Sequence, residues 1–139
     1  EKVVLGQADK LAPMAGGWRK ARQEKQMIDW FGCVPKFIIT IDSIYAAQAS
    51  DIDFCALIEH ELYHVGAKRD EDGNYVVSQS TGEYKYYLRP HDVEEFHGVV
   101  QRYGASPDVQ KMVELANNGP TISRANIAHA CGTCLLKLA

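Results

Sequence analysis

The sequence predicts an α+β fold built from a small, mostly antiparallel sheet, a β-hairpin and several helices. Three observations predict it. Residues 36–42 (KFIITID) form a β-branched run introduced by Pro35. Residues 51–65 follow a capping residue, Ser50, and carry apolar side chains at helical spacing. Residues 69–89 are punctuated by Asp72-Gly73 and Thr81-Gly82 and are rich in strand formers.

In chain order, residues 2–5 read as a short strand because Val3 and Val4 favour one. Residues 12–17, with Pro13 and two adjacent glycines, read as a loop. The charged stretch 19–26 reads as a solvated helix or loop. The run 36–42 is the clearest strand. In the helix 51–65, Ser50 and Asp53 resemble a capping box, and Cys55, Ile58, Leu62 and Val65 share one stripe. Gly66, followed by Lys68 and Arg69, fits a helix stop.

Residues 75–79 and 84–88 then read as the two arms of the hairpin. Asp70 and Asp72 stand before Gly73, but the other positions of a calcium loop do not match, so a plain turn is expected. A second helix is expected over 92–103, with Asp92 and Glu95 as its cap pair and Gly104 as its stop. Ser106-Pro107 opens a third, ending near Asn118-Gly119-Pro120, and a last helix is expected over 123–138.

The chain has 139 residues, 46% hydrophobic and 24% charged, enough for one ordinary domain. Its formal net charge is −3, which disfavours sequence-independent nucleic-acid binding. No run of about 18 apolar residues exists, so no membrane-spanning helix is expected. No basic stretch followed by an apolar one opens the chain, so no signal peptide is expected. Cys33 and Cys55 are isolated, and Cys131 and Cys134 form a C-x-x-C pair in a segment that reads as helical. Buried, reduced thiols in a cytoplasmic protein are the expectation there, with a His129/Cys131/Cys134 metal site as the alternative.

The chemistry concentrates in His60-Glu61-Leu62-Tyr63-His64, an H-E-x-x-H cluster inside the helix 51–65. Residues four apart on a helix lie one above the other, so His60 and His64 can grip one metal ion together. Glu61 lies about 100° around from His60 and can take a proton from a metal-bound water without binding the ion. Zinc suits two imidazoles and draws the pKa of its water down towards about 7. The apolar stripe leaves the histidines on a different face.

Catalytic zinc needs a third protein ligand. Asp92 and Glu95 are occupied as the expected cap pair. His91, Glu94 and His97 remain as candidates. His91 is favoured, because Pro90 and the helix start fix it and the hairpin would return it towards the first helix.

The segments Ile58-Glu59-His60-Glu61-Leu62-Tyr63-His64-Val65-Gly66 and His91-Asp92-Val93-Glu94-Glu95-Phe96, with Arg102-Tyr103-Gly104 beyond, resemble the phage metallopeptidase family. That family pairs an H-E-L-x-H-x-G helix with a later H-D-V-E-E-F helix ending in R-Y-G. The likeness covers residues 2–104, about three quarters of the chain. A more distant likeness is to SprT-like proteases, in which a third zinc histidine precedes a short H-G-P-E-F stretch.

The resemblance implies a zincin-like fold with a peptidase core over residues 1–104 and a protein or peptide as substrate; residues 105–139 lie outside the likeness and are expected, from their helical pattern, to form a C-terminal extension packed on the same domain. The resemblance also implies zinc held by His60, His64 and His91, with Glu61 as general base. The strand 37–42 is a candidate edge for an extended peptide. Tyr84, Tyr86, Tyr87 and Arg89 lie in the part of the chain that could supply an oxyanion donor, and none is assigned that role. Two rival readings stand beside this one. One is a regulatory protease of the ImmA/IrrE type, which would use Glu94 as the later ligand. The other is a non-catalytic zinc domain that binds a partner protein.

Overall fold

A computed structural model of the chain describes residues 4–12 and 14–125. Among them are two two-stranded antiparallel sheets and five helices, an α+β arrangement. No helix among the described residues is long and apolar enough to cross a membrane.

The first strand, β1, is Gly6–Lys10, and it pairs antiparallel with β2, Phe37–Ile41, from Gly6↔Ile41 to Lys10↔Phe37. Residues 2 and 3 of the strand expected at 2–5 lie outside the described residues, and Val4 and Leu5 precede β1. The Leu5 carbonyl extends the ladder, accepting from the Asp42 N–H at 2.8 Å. The inward face of β1 is Gly6 and Ala8, both buried. Small residues there let a helix approach the ribbon closely, whereas β-propensity alone favours the valines before them.

Between these strands runs α1, Gly17–Phe31, which ends on Gly32 in the left-handed conformation (φ 74°) with its N–H on the Ile28 carbonyl. The charged stretch 19–26 lies within this helix and is mostly exposed; Lys20–Glu24 and Lys25–Asp29 pair one turn apart along it. A short helix that the sequence pattern does not predict, α2 (Ser43–Gln48), follows β2 directly. Asp42 starts it by accepting the Tyr45 N–H at 2.7 Å.

The central helix, α3, is Asp51–Tyr63. Ser50 caps it as expected, accepting the Asp53 N–H at 3.2 Å. It lies against β1 and β2 and buries Leu57, which forms the small core with Ala8 and Met27. The helix stops earlier than expected, with His64 as its C-cap residue. Gly66 is not the stop. It belongs to β3 (Val65–Ala67), paired antiparallel with β4 (Tyr86–Leu88) through Gly66↔Tyr87. The Tyr87 ring lies over Gly66, where a Cβ would stand 2.7 Å from Cε1. A missing side chain serves ring packing here rather than helix termination.

The pairing expected between 75–79 and 84–88 is reduced to a single bridge, Val77↔Tyr84, because Tyr86–Leu88 pairs with β3 instead; a second bridge, Arg69↔Tyr75, closes the turn before it. The turn at Gly73 is a plain Asx turn: Asp70 Oδ1 accepts the N–H groups of Asp72 and Asn74 at 3.1 and 2.8 Å.

After β4, the helix expected over 92–103 is only α4, His97–Tyr103. Asp92 and Glu95 are not caps: Asp92 pairs with the Arg89 guanidinium, and Glu95 Oε1 accepts the Phe96 N–H at 2.8 Å. These local partners hold residues 92–96 out of the helix. α5 is Pro107–Asn118, with Pro107 at the first position and Ser106 Oγ accepting the Val109 N–H. The helix expected over 123–138, with His129, Cys131 and Cys134, lies mostly outside the described residues, and residues 123–125 are not helical. Cys33 and Cys55 are free and exposed.

Candidate metal centre

The last turn of α3 and the chain beyond β4 bring three imidazoles together. His60 stands within α3, His64 is its C-cap residue, and His91 follows Pro90 just after β4. Their ring centroids form a nearly equilateral triangle with sides of 5.2, 5.0 and 5.0 Å. One ring nitrogen from each lies within 4.8 Å of the others, and His60 Nε2 is 3.1 Å from His91 Nε2. Tetrahedral zinc with Zn–N bonds of about 2.1 Å needs neighbouring nitrogens about 3.4 Å apart, so the donor set fits such an ion with small adjustments.

The orientation of His64 is fixed from outside the triangle. Its Nδ1 lies 2.7 Å from the main-chain oxygen of Arg89. A carbonyl only accepts, so Nδ1 carries the proton and Nε2 keeps its lone pair for an ion. The Arg89 N–H donates in turn to the His64 carbonyl at 2.7 Å. His64 is buried (2% exposed), His60 half-buried and His91 exposed. Burial is the main cause that lowers the pKa of His60 below its usual 6.5. The neighbouring His91 and His64 add to this, while Glu61 opposes it. The shift favours the neutral imidazole, the form that binds metal.

Glu61 is fully buried at 0% exposure. Its carboxylate fills the space that a side chain on β1 would take: a Cβ built on Gly6 would lie 3.1 Å from Glu61 Oε1. Gly6 is thus in close contact with Glu61, which stands outside the histidine group and does not line the cavity beside it. The first strand expected from the sequence ends at residue 5, before Gly6; with Gly6 inside β1, a glycine in a strand marks close approach by a neighbour.

A cavity of about 340 Å³ opens beside the histidines. Tyr63, Arg89 and Val93 line it, together with Met112 from α5. Of the four residues considered near an oxyanion position, Arg89 reaches this cavity and Tyr84, Tyr86 and Tyr87 do not. Glu94 and His97 are not in the histidine group; His97 begins α4 and is exposed.

The model of the family described as "Putative phage metallopeptidase" matches residues 1–117, past Gly104 and through most of α5. No curated protein and no solved structure matches the chain. With the match covering well over half of its length, and with three imidazoles converging at the H-E-x-x-H helix, the chain belongs to the phage metallopeptidase family.

Proposed function

We propose that the chain is a zinc-dependent peptidase of zincin-like design, with His60, His64 and His91 holding the ion and Glu61 as the general base. The observation that carries this reading is the convergence of the three ring nitrogens within 4.8 Å at the end of α3. Three imidazoles form a donor set that suits zinc, and catalytic zinc sites commonly use three protein ligands. When bound there, zinc supplies Lewis-acid polarisation of the scissile carbonyl and acidifies water.

The rest of the chemistry falls to the chain's own residues. Glu61 takes a proton from the attacking water and delivers it to the leaving amine nitrogen. Its burial beneath Gly6 fixes the carboxylate and keeps bulk water away from it. Arg89 orients His64 through its main chain, and its side chain lines the cavity in which the substrate would lie. The substrate is a protein or peptide, and the apolar wall of Val93 and Met112 would receive one of its side chains. The exposed thiols of Cys33 and Cys55 fit action in a reducing compartment such as the cytoplasm. Glu94 stands outside the histidine group, which favours this reading over one with a glutamate ligand.

The test is Glu61→Gln. Zinc content by mass spectrometry should stay at one ion per chain while hydrolysis of a peptide library disappears. Undiminished hydrolysis would remove Glu61 from the mechanism. Failure of the wild-type chain to take up zinc would remove the whole reading.

A further inference from the structure

A second concavity lies away from the histidines. It has a volume of about 660 Å³ and sits between α1, the far end of the β1–β2 ribbon and the hairpin. Five of the chain's nine lysines line it: Lys10, Lys20, Lys36, Lys68 and Lys85. Only two carboxylates join them, and each is already taken. Glu24 pairs with Lys20 at 3.6 Å, and Glu83 bridges to Lys36 at 2.6 Å. Among the described residues, no carboxylate pairs with Lys10, Lys68 or Lys85.

The arrangement of two of these lysines is costly. The β3–β4 register puts Lys68 opposite Lys85, one step beyond Ala67↔Tyr86, and the Lys68 N–H donates to the Lys85 carbonyl at 2.8 Å. Like charges directly opposite on one face of a sheet repel. An anion lying between them would turn that repulsion into attraction.

The concavity is also connected to the metal centre by two strands. β1 begins at Gly6 against Glu61 and ends at Lys10 in the lysine groove. β4 begins at Tyr86 in the groove and leads to His91. Four strand residues span about 13 Å.

We propose that this groove holds an acidic segment of the polypeptide substrate, about four residues from the scissile bond, a proposal that rests on the peptidase reading above. An extended peptide advances at the same rise as the strands, so one substrate chain can reach both places. The tyrosines of the groove favour a polypeptide over a single-stranded nucleic acid. Tyr86 sets its edge against Phe37 at 5.6 Å, and Tyr84 packs on Tyr75 at 5.1 Å, so these rings are engaged with protein neighbours rather than arrayed as a platform for bases.

The test uses Glu61→Gln protein, so that binding is read without turnover. A fluorescent glutamate decapeptide should bind, more weakly as salt rises, and K68A/K85A should weaken it by roughly tenfold with zinc content unchanged and melting no lower. Equal binding by that variant, or tighter binding of a thymidine decanucleotide, would overturn the proposal. In parallel, wild-type protein should cut library peptides with Asp or Glu about four positions from the cut in preference to Lys or Ala there, and K68A/K85A should lose that preference. Cleavage without the preference overturns the groove and leaves the peptidase standing. Binding with no cleavage of any peptide overturns the peptidase, and with it the groove's role in substrate docking.

Discussion

His64 and Arg89 clasp each other through two hydrogen bonds, the Arg89 N–H to the His64 carbonyl and the His64 ring to the Arg89 carbonyl, both at 2.7 Å. The first continues the β3–β4 ladder by one rung. The second aims an imidazole at the cavity. The same strand pairing that holds the small sheet therefore also sets the tautomer and direction of a candidate ligand.

That coupling makes Gly66 a lever on the metal centre from a position that touches no ion. A Cβ at Gly66 would meet Tyr87 Cε1 at 2.7 Å and Cζ at 2.9 Å, so Gly66→Ala forces the ring aside and strains the β3–β4 pairing. The expected cost is about 1–3 kcal/mol of stability, read from thermal or urea unfolding. Zinc affinity should fall by about 10–100-fold, the usual effect of disturbing an outer partner of a metal ligand. Pairing it with Tyr87→Leu should restore much of both. Unchanged zinc affinity in the single variant would uncouple the ladder from the site.

The ligand set is tested by three separate substitutions. His91→Ala should reduce zinc affinity by more than the roughly 100-fold expected for an outer partner, measured by competition with a chelator. Because His91 is exposed, the metal-free protein should keep its stability within about 0.5 kcal/mol. Glu94→Ala and His97→Ala should leave zinc affinity unchanged. Loss of zinc in Glu94→Ala would instead assign the third position to a carboxylate.

The parts of this protein that sequence discloses are those carried by side-chain pattern. β2 is legible because β-branched residues fill it. The starts of α3 and α5 are legible because Ser50 and Ser106 cap them. The pairing of His60 with His64 is legible because a helix has a known period. His91 is within reach of the same reasoning, since a turn-rich segment joins it to α3. The obscured parts depend on main-chain groups and on absent side chains. Nothing in the residue type of Arg89 announces that its carbonyl holds His64, and Gly6 and Gly66 act by leaving space. The start of α4 is misread because Asp92 and Glu95 look like caps, while in the fold Asp92 turns to Arg89 and Glu95 to the adjacent Phe96 N–H.

Acid should weaken both fold and metal binding through His60. Its pKa is lowered in the folded chain, chiefly by burial, from 6.5. As pH falls through 6.5, the unfolded chain takes up the proton before the folded one does, so the stability owed to a neutral His60 is present above 6.5 and is lost below it. Protons compete with zinc for the same nitrogens, so affinity falls with further acidification. Melting of the metal-free protein should drop between about pH 7.5 and pH 5.5, and His60→Gln should flatten that dependence. A melting temperature that rises towards acid would mean that the folded chain holds the His60 proton more tightly than the unfolded one, the reverse of what burial produces.

Gly6 offers the sharpest separation of catalysis from metal binding. Its φ is not in the left-handed region, so alanine there brings no backbone strain. The added methyl would instead meet Glu61 Oε1 at 3.1 Å, Leu57 Cδ1 at 3.1 Å and Ile41 Cδ1 at 3.2 Å. The methyl would press on all three at once, and of these groups only the Glu61 carboxylate is the proposed base. A displaced general base loses part of the roughly 100- to 10,000-fold that such a group contributes. Gly6→Ala should therefore lower kcat by about tenfold or more, with little change in KM and full zinc occupancy, at a stability cost of about 1 kcal/mol. Gly17→Ala is the matching control: nothing lies within 4 Å of its Cβ, so activity should be unchanged. If Gly6→Ala instead lost zinc, the ribbon would be shown to hold the ligands. If it left kcat intact, the position of Glu61 beneath β1 would have no part in proton transfer.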